Sequence, residues 1–125
     1  MLKESRRTKR FPAKIAMVFN DDEGLNFSFI TNISRYGVFL ETEKVLPPGA
    51  KVNFVLSNSI RYVPVQGKVV RIKDAAFEGP PSGIGVEFEN LHEMAKIIRD
   101  DILLYLMNFG HHQIWEQTER EQVAA

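Results

Sequence analysis

Apolar and polar residues alternate along most of the first ninety positions of the chain, as they do in strands that have one buried face. In the first such segment Ile15, Met17 and Phe19 share a face, and turn-forming residues follow at 20–24. The alternation returns in five later segments: 25–34, 38–41, 52–56, 61–72 and 84–88. In the fourth and the last of these six segments, the residues expected to point inward are Val52, Phe54 and Leu56, and Ile84, Val86 and Phe88. Six short strands separated by turn signals predict a mainly β domain, built as a small antiparallel barrel or sandwich.

The second segment carries aromatic side chains at alternate positions and small polar side chains between them. Because the apolar face of a strand packs on the core, we expect three of its residues to point inward: Leu25, Phe27 and Phe29. The polar residues of the same strand are then expected on the outer surface: Asn26, Ser28, Asn32 and Ser34.

The period of the pattern changes after Leu91. Apolar residues then recur at every third or fourth position as far as Phe109, which is typical of an amphipathic helix, and Gly110 is the predicted helix end. Leu103, Leu104 and Met107 make the apolar stripe wider than one contact with a barrel requires. Two interpretations stay open: a broad buried face, or a surface that binds a partner or a second copy of the chain.

The length of 125 residues fits one domain. We predict a flexible basic arm at 1–11, a barrel with a C-terminal helix at 12–110 and a polar tail at 111–125. The chain contains no cysteine, which excludes disulfides and thiolate metal sites. It has neither an apolar run of the roughly 18 residues that a membrane span needs nor the apolar segment of a signal peptide, so we expect a cytoplasmic protein.

Charge is distributed unevenly along the chain, although 16 basic and 16 acidic residues balance overall. Residues 1–15 hold six basic residues and one acidic residue, a net charge of +5, so the rest of the chain carries −5. A basic arm beside an acidic body favours a small, doubly charged anion over a long nucleic acid, which the body would repel.

The polar residues do not form a recognisable catalytic or metal-binding set. His111 and His112 are adjacent, so on a helix their side chains diverge by about 100° and cannot share a metal ion. Ser34 lacks the G-x-S-x-G context of a nucleophilic serine, and no segment combines the glycines, lysine and hydroxyl of a P-loop. We therefore predict a protein that is not an enzyme and that uses neither a metal ion nor a cofactor.

Two short motifs indicate a ligand-binding role instead. In "SRRTKRF", Arg6 and Arg10 are separated by three residues, and "NISRYG" contains Asn32, Ser34 and Gly37. Together they resemble the paired signature of the PilZ domain family, R-x-x-x-R followed by D/N-x-S-x-x-G. The stretches "VQGKVVRI" and "GIGVEFENL" are similar to the family's long middle strand and to its last strand before the helix, so the resemblance extends over residues 5–107.

The resemblance implies a six-stranded antiparallel β-barrel of the split-barrel type with a C-terminal α-helix, and a bacterial module that binds cyclic di-GMP. The ligand-binding residues that it implies are Arg6, Arg7, Arg10, Asn32, Ser34 and Gly37, with Lys9 as a secondary candidate. The arginines of the arm would hold phosphate and guanine, because a guanidinium fork matches phosphate oxygens and the edge of guanine. The barrel residues would receive a guanine on the surface.

We therefore expect a single-domain cyclic di-GMP receptor that changes shape and passes the signal to an unidentified partner protein, as a monomer or a weak dimer. Whether it binds one ligand molecule or a stacked pair stays open, because Ser5 precedes the Arg6–Arg7 pair. One alternative is a PilZ-like adaptor that binds proteins but no nucleotide, which the intact motifs disfavour. The other is a small nucleic-acid-binding barrel, which is disfavoured because Phe11 is the only aromatic residue of the arm.

Overall fold

The computed structural model describes residues 10–58, 60–79 and 81–124, and the side chains as far as residue 108. Six strands and two helices follow one another along the chain. They are β1 (Phe11–Asp21), β2 (Gly24–Ile33), β3 (Gly37–Glu41), β4 (Lys51–Ser57), β5 (Tyr62–Lys73), α1 (Ala75–Glu78), β6 (Gly83–Glu89) and α2 (Glu93–Ala124).

The strands close into an antiparallel barrel with the order β1-β2-β3-β6-β5-β4. Strand β6 comes last in the chain but is inserted between β3 and β5, so the ligand motif at the start of β3 lies beside the C-terminal part of the barrel. Within the described chain a single residue pair, Asn20 with Asn53, joins β1 to β4, and α2 packs beside this seam, mainly on β1. The predicted six-stranded barrel with a C-terminal helix is confirmed.

Alternate side chains of the strands fill the barrel, as a period of two requires. Most of the residues predicted to point inward on β1, β4 and β6 are buried: Phe19, Val52, Phe54, Leu56, Ile84 and Val86. The remaining three, Ile15, Met17 and Phe88, are partly buried and pack against this core. The predicted orientation of these three strands is therefore confirmed.

The predicted orientation of β2 is wrong for its first half. Phe27 is 64% exposed and Leu25 is also exposed, whereas Ser28 is only 1% exposed. The buried position is tolerated because the Ser28 hydroxyl donates a hydrogen bond to the Met17 carbonyl oxygen of β1 at 3.2 Å. On the outer face the Phe27 and Phe29 rings form an edge-to-face pair with centroids 5.2 Å apart, which shields part of their apolar surface.

Two of the three register shifts in the described strands, those in β2 and β5, exchange the faces of the strands that contain them. In β2 the register shifts between Ile30 and Asn32, so Ile30 and Ile33 both point into the core and Asn32 points outward. In β5 a shift between Val69 and Arg71 leaves Val69 buried and Arg71 exposed. An extra residue in one strand turns the following side chain to the opposite face. Asn32 thus lies on the outer surface as predicted, but because of a bulge.

Helix α2 continues beyond its predicted end. Gly110 lies inside the helix, and the backbone is helical to Ala124, so the prediction that the helix ends at Gly110 is wrong. One face of α2 is buried in the main core: Ala95, Ile98, Ile102, Leu103 and Leu106. Leu104 and Met107 of the wide apolar stripe are exposed. In the part of the chain that the structure describes, no helix has the length and apolar character needed to cross a bilayer.

Candidate functional site

A shallow trough of about 140 Å³ lies on the outer surface of the barrel across β2, β3, β6 and β5. Its floor is the paired backbone of β3 and β6, where Gly37 stands opposite Glu87 and Phe39 stands opposite Gly85. One wall is formed by the end of β2 and the residue before β1, and the other wall by β5. The lining residues are Arg10, Asn32, Ser34, Tyr36, Gly37, Val38, Val70, Arg71, Gly85, Val86 and Glu87.

A tight turn at 34–37 forms the wall between β2 and β3. The Ser34 amide donates to the Gly37 carbonyl oxygen at 2.9 Å, and the Tyr36 amide donates to the Ser34 hydroxyl oxygen at 3.2 Å. Ser34 is 8% exposed, so it lies in the wall of the trough and not on the open outer surface as predicted. As an acceptor, the hydroxyl still retains its own hydrogen, which can donate to a ligand in the trough.

Gly37 is required by the close approach of β3 and β6. A Cβ atom at this position would overlap the Val86 carbonyl oxygen and would crowd the Glu87 backbone. The missing side chain therefore permits the pairing of the two strands and, at the same time, keeps the floor of the trough flat.

Arg71 forms the wall on the β5 side. A row of paired residues from four neighbouring strands crosses the trough. Asn32 of β2 pairs with Phe39 of β3, Phe39 pairs with Gly85 of β6, and Gly85 pairs with Arg71 of β5. Because Gly85 has no side chain, the Arg71 side chain extends across β6 until its guanidinium carbon lies 5.7 Å from the centroid of the Phe39 ring. Among the described residues, Arg71 has no carboxylate at ion-pair distance. The guanidinium is therefore supported by an aromatic ring and not neutralised by an acid.

The structure brings four of the predicted ligand-binding residues together. Arg10, Asn32, Ser34 and Gly37 all line the trough. The antiparallel pairing of β1 with β2 explains this meeting, since Phe11 stands opposite Ile33 and the chain before β1 thus emerges beside the end of β2. The other predicted residues, Arg6, Arg7 and Lys9, lie outside the described part of the chain.

Three further residues with polar side chains line the trough without having been indicated by the sequence: Tyr36, Arg71 and Glu87. A strict period of two would give Arg71 the same inward orientation as Val69. The one local sign is the pair Val69-Val70, where the alternation of buried and exposed positions breaks. Glu87 carries no sign of this kind, because it occupies an ordinary outward position of β6.

A second depression of about 610 Å³ lies beside the β1–β2 turn, and we call it the hairpin groove. Phe27 and Phe29 of β2 form one side of it, and Lys44 lies on the other. Lys44 forms ion pairs with Glu23 and, at 3.6 Å, with Asp21.

The backbone hydrogen bond from the Glu23 amide holds the pKa of Asp21 below its usual value, and the Lys44 charge acts in the same direction. The hydrogen bond to Glu23 raises the pKa of Lys44.

Comparison with known proteins gives a family and several similar folds. The PilZ domain profile matches residues 4–105. The structure of the PilZ domain of YcgR from Escherichia coli with c-di-GMP has a TM-score of 0.62 at 15% identity, covering 95% of this chain and 97% of that one. The MrkH–c-di-GMP complex from K. pneumonia has a TM-score of 0.68 at 17% identity, covering 86% of this chain and 55% of that one. This chain therefore spans about half the length of MrkH.

The PilZ domain of CeSA from a cellulose-synthesizing bacterium has a TM-score of 0.59 at 14% identity, covering 79% of this chain and 98% of that one. No curated protein matches the chain in sequence. Identities this low show a common fold and nothing more, whereas the profile match includes both motifs and most of the barrel. On that match, the chain belongs to the PilZ domain family.

Proposed function

We propose that this protein binds cyclic di-GMP in the trough and passes the signal to a partner protein. The observation that carries the proposal is the meeting of both motifs at one surface: Arg10 of the first motif lines the same trough as Asn32, Ser34 and Gly37 of the second. Two solved structures of similar fold, YcgR and MrkH, are complexes with c-di-GMP. Family membership supports the same ligand for this chain.

The chemistry of the trough suits this ligand, which carries two phosphates and two guanines. Arg10 at the rim offers a planar fork of donors for phosphate oxygens. Asn32 presents both a donor and an acceptor to a guanine edge, and Ser34 adds a hydroxyl donor. The volume of about 140 Å³ is small beside the roughly 300–1,000 Å³ of typical ligand pockets. The trough therefore holds part of the ligand, and we assign the remaining contacts to Arg6 and Arg7 of the arm.

Isothermal titration of the full chain with cyclic di-GMP, GMP and a short oligonucleotide tests this assignment. We expect binding of cyclic di-GMP alone. Arg6→Ala and Arg10→Ala should each weaken it by about 10- to 150-fold, the effect of losing a charge-assisted contact of about 1.5–3 kcal/mol. Lys9→Ala is the matched control and should cost less than about 1 kcal/mol, because an exposed point charge is screened by solvent.

Each other outcome of the titration selects a different function. Equal losses for Lys9→Ala and the two arginine variants would show that general charge, and not the motif, holds the ligand. Binding of the oligonucleotide would favour a nucleic-acid module, and no binding of any of the three compounds would favour a protein adaptor.

Signal relay to a partner is supported by a contact between the ligand motif and α2. Arg99 of α2 is 7% exposed, and its Nη1 donates to the Arg35 carbonyl oxygen at 3.1 Å. Arg35 belongs to the 34–37 turn that borders the trough, so a displacement of the turn reaches the helix directly. The opposite face of α2 exposes Ile97, Leu104 and Met107, an apolar surface suited to a protein partner. A ligand shifts α2 only if it binds one arrangement of the turn better than the other.

Hydrogen exchange of α2 with and without cyclic di-GMP tests the relay. We expect the ligand to change exchange at 93–108 in the wild type. Arg99→Gln should abolish that change while the affinity stays within about threefold of the wild type, because Arg99 does not line the trough. If α2 exchange in the wild type is the same with and without ligand, the relay through Arg99 is refuted, although ligand binding itself is not.

A further inference from the structure

The trough holds an acidic side chain among its basic and neutral ones. Of the described residues that line it, Glu87 alone carries a carboxylate, whereas Arg10 and Arg71 are cations. We propose that Glu87 selects the base of the ligand by accepting hydrogen bonds from the Watson–Crick edge of a guanine. The inference rests on the proposed function, and it assigns a specificity-determining contact to a residue of neither motif.

Glu87 lies on the floor of the trough beside the second motif. It stands opposite Gly37 in the pairing of β3 with β6, and it is exposed on the outer face of β6. The residue after it is joined to the motif turn, since the Phe88 amide donates to the Tyr36 carbonyl oxygen at 2.8 Å. Because Gly37 has no side chain, a planar group that lies on it is bordered by the side chain of Glu87.

The Glu87 carboxylate is not paired with a cation of its own protein in the described part of the chain. Lys68 of β5 stands opposite Glu87, yet the two side chains are not at ion-pair distance. Glu89, two residues further along β6, differs in this respect because Lys51 lies 2.7 Å from its carboxylate. Both oxygens of Glu87 are therefore available as acceptors without the loss of an internal ion pair.

The Watson–Crick edge of guanine matches a carboxylate. This edge presents two adjacent donors, N1–H and the 2-amino group, and the two oxygens of an ionised carboxylate accept from both at once. The other polar side chains of the trough offer donors alone or a single acceptor oxygen, so they cannot replace it. Adenine has an acceptor at N1 and no 2-amino group, and a carboxylate therefore disfavours it.

The charge of Glu87 gives this inference a distinctive sign. A carboxylate in an anion-binding trough repels the phosphates of the ligand, so on charge alone its neutralisation should strengthen binding. A contact with guanine predicts weaker binding instead. The direction of the change therefore separates recognition of the base from a general effect of charge.

The test uses three compounds that share their phosphates and differ in their bases: cyclic di-GMP, cyclic di-IMP and cyclic di-AMP. The base of cyclic di-IMP keeps N1–H but lacks the 2-amino group. Each compound is titrated into the wild type, Glu87→Gln, Glu87→Asp and the control Glu78→Gln, which neutralises an exposed acid of α1 outside the trough. We expect Glu87→Gln to weaken cyclic di-GMP binding by about 10- to 150-fold, the effect of losing a hydrogen bond to a charged group.

The three compounds should respond differently. Glu87→Gln should reduce the preference for cyclic di-GMP over cyclic di-IMP by about 10-fold or more, and it should leave the affinity for cyclic di-AMP unchanged or higher. Glu87→Asp keeps the charge but withdraws the carboxylate from the base, so it should also reduce the preference. Glu78→Gln should change neither the affinities nor the preference.

The possible results separate this inference from the proposed function. A wild type that binds none of the three compounds removes both. A wild type without preference for cyclic di-GMP over cyclic di-IMP overturns the role of Glu87 alone, and so does tighter binding of cyclic di-GMP by Glu87→Gln. Equal losses for all three compounds would indicate an altered trough, which also overturns base recognition. Melting temperatures of the four proteins within about 2 °C of one another, as expected for changes at exposed side chains, would exclude unfolding as the cause.

Discussion

The trough and the hairpin groove are two depressions on one barrel, and they differ in how their charges are satisfied. The groove is larger, at about 610 Å³ against about 140 Å³, but its Lys44 is already paired with Asp21 and Glu23. In the trough, Arg71 lies near the ring of Phe39 and has no carboxylate partner among the described residues. A cation bound to an acid of its own protein has less to offer an anionic ligand. The smaller depression is therefore the better anion site.

The floors of the two depressions differ as well. The trough has a backbone floor that includes Gly37 and Gly85, so a planar group can lie flat against the strands. The groove is lined instead by the edge-to-face pair of Phe27 and Phe29 and by acidic side chains, Glu41 and Glu43, which disfavour an anion. The charge state and the floor chemistry, and not the volume, are therefore the features that favour the trough over the groove as the proposed nucleotide site.

The strongest test of the comparison concerns which side chains of β2 support the barrel. Ile30→Ala should lower the free energy of unfolding by about 2–5 kcal/mol, because Ile30 is fully buried in the core. Phe27→Ala should lower it by about 1 kcal/mol or less, since it removes only part of an exposed aromatic pair. Chemical denaturation of both variants gives the values. A larger loss for Phe27→Ala would mean that the groove is part of the core.

Gly37→Ala should have the next largest effect. The added methyl group must separate β3 from β6 at the Val86 carbonyl, so we expect a loss of about 1–3 kcal/mol in unfolding free energy and weaker ligand binding. Gly85→Ala is the matched control on the same floor, because its Cβ would lie 3.4 Å from the Arg71 Cβ, an ordinary contact. Thermal melts of both variants measure the difference in stability, and titration of Gly37→Ala measures the loss of binding. Equal stability losses would show that the floor is not closely packed at Gly37.

A pair of asparagines on β2 compares the depressions directly. Asn32→Ala should weaken cyclic di-GMP binding by about 2- to 12-fold, the effect of losing one hydrogen bond of about 0.5–1.5 kcal/mol. Asn26→Ala should leave affinity unchanged, because Asn26 lines the groove and donates to Asp21 at 3.1 Å. Titration calorimetry distinguishes the two. A loss of affinity for Asn26→Ala alone would move the ligand from the trough to the groove.

The smallest expected effect is the pH dependence of the groove. The Asp21 carboxylate accepts hydrogen bonds from the Glu23 and Gly24 amides at 2.7 and 3.1 Å, which lowers its pKa in the folded protein. Its contribution to stability should be complete above the unfolded value of about 3.9 and should decrease as the pH falls through the folded pKa. Asp21→Asn should therefore melt below the wild type at pH 7, and the gap should narrow at pH 3. Asp22→Asn is the control, and a gap of constant size would refute the role of the Asp21 charge.

The sequence pattern predicted the barrel well because most of its strands obey a period of two. β4 is the clearest case, since Val52, Phe54 and Leu56 alternate without interruption and all are buried. The pattern failed in β2, where phenylalanine occupies outward positions and Ser28 occupies an inward one. The Ser28 hydroxyl finds its acceptor on a neighbouring strand, at the Met17 carbonyl. A partner eleven residues away in the chain leaves no local signal in the pattern.

The residues of the candidate site also differ in how far the sequence could predict their positions. The motif residues Asn32, Ser34 and Gly37 are close in sequence, so their proximity in space follows from one strand and one turn. Arg71 reaches the trough because a register shift turns it outward and because its partner on β6, Gly85, has no side chain to block it. The register shift and this partner both depend on the pairing of β5 with β6. Bulges are set by how two strands match, and only the broken alternation at 69–70 indicates this one from a single strand.

The narrow seam between β1 and β4 determines where this barrel opens first. Within the described chain one residue pair, Asn20 with Asn53, joins the two strands, whereas the other neighbouring strands share extended ladders. Local opening therefore costs the least free energy at the seam, and backbone amides of β4 near Asn53 should exchange with deuterium before those of β6. The trough lies across β2, β3, β6 and β5, away from this seam. We therefore expect the barrel to open mainly at the seam, so the paired strands under the trough stay ordered while the opposite side fluctuates.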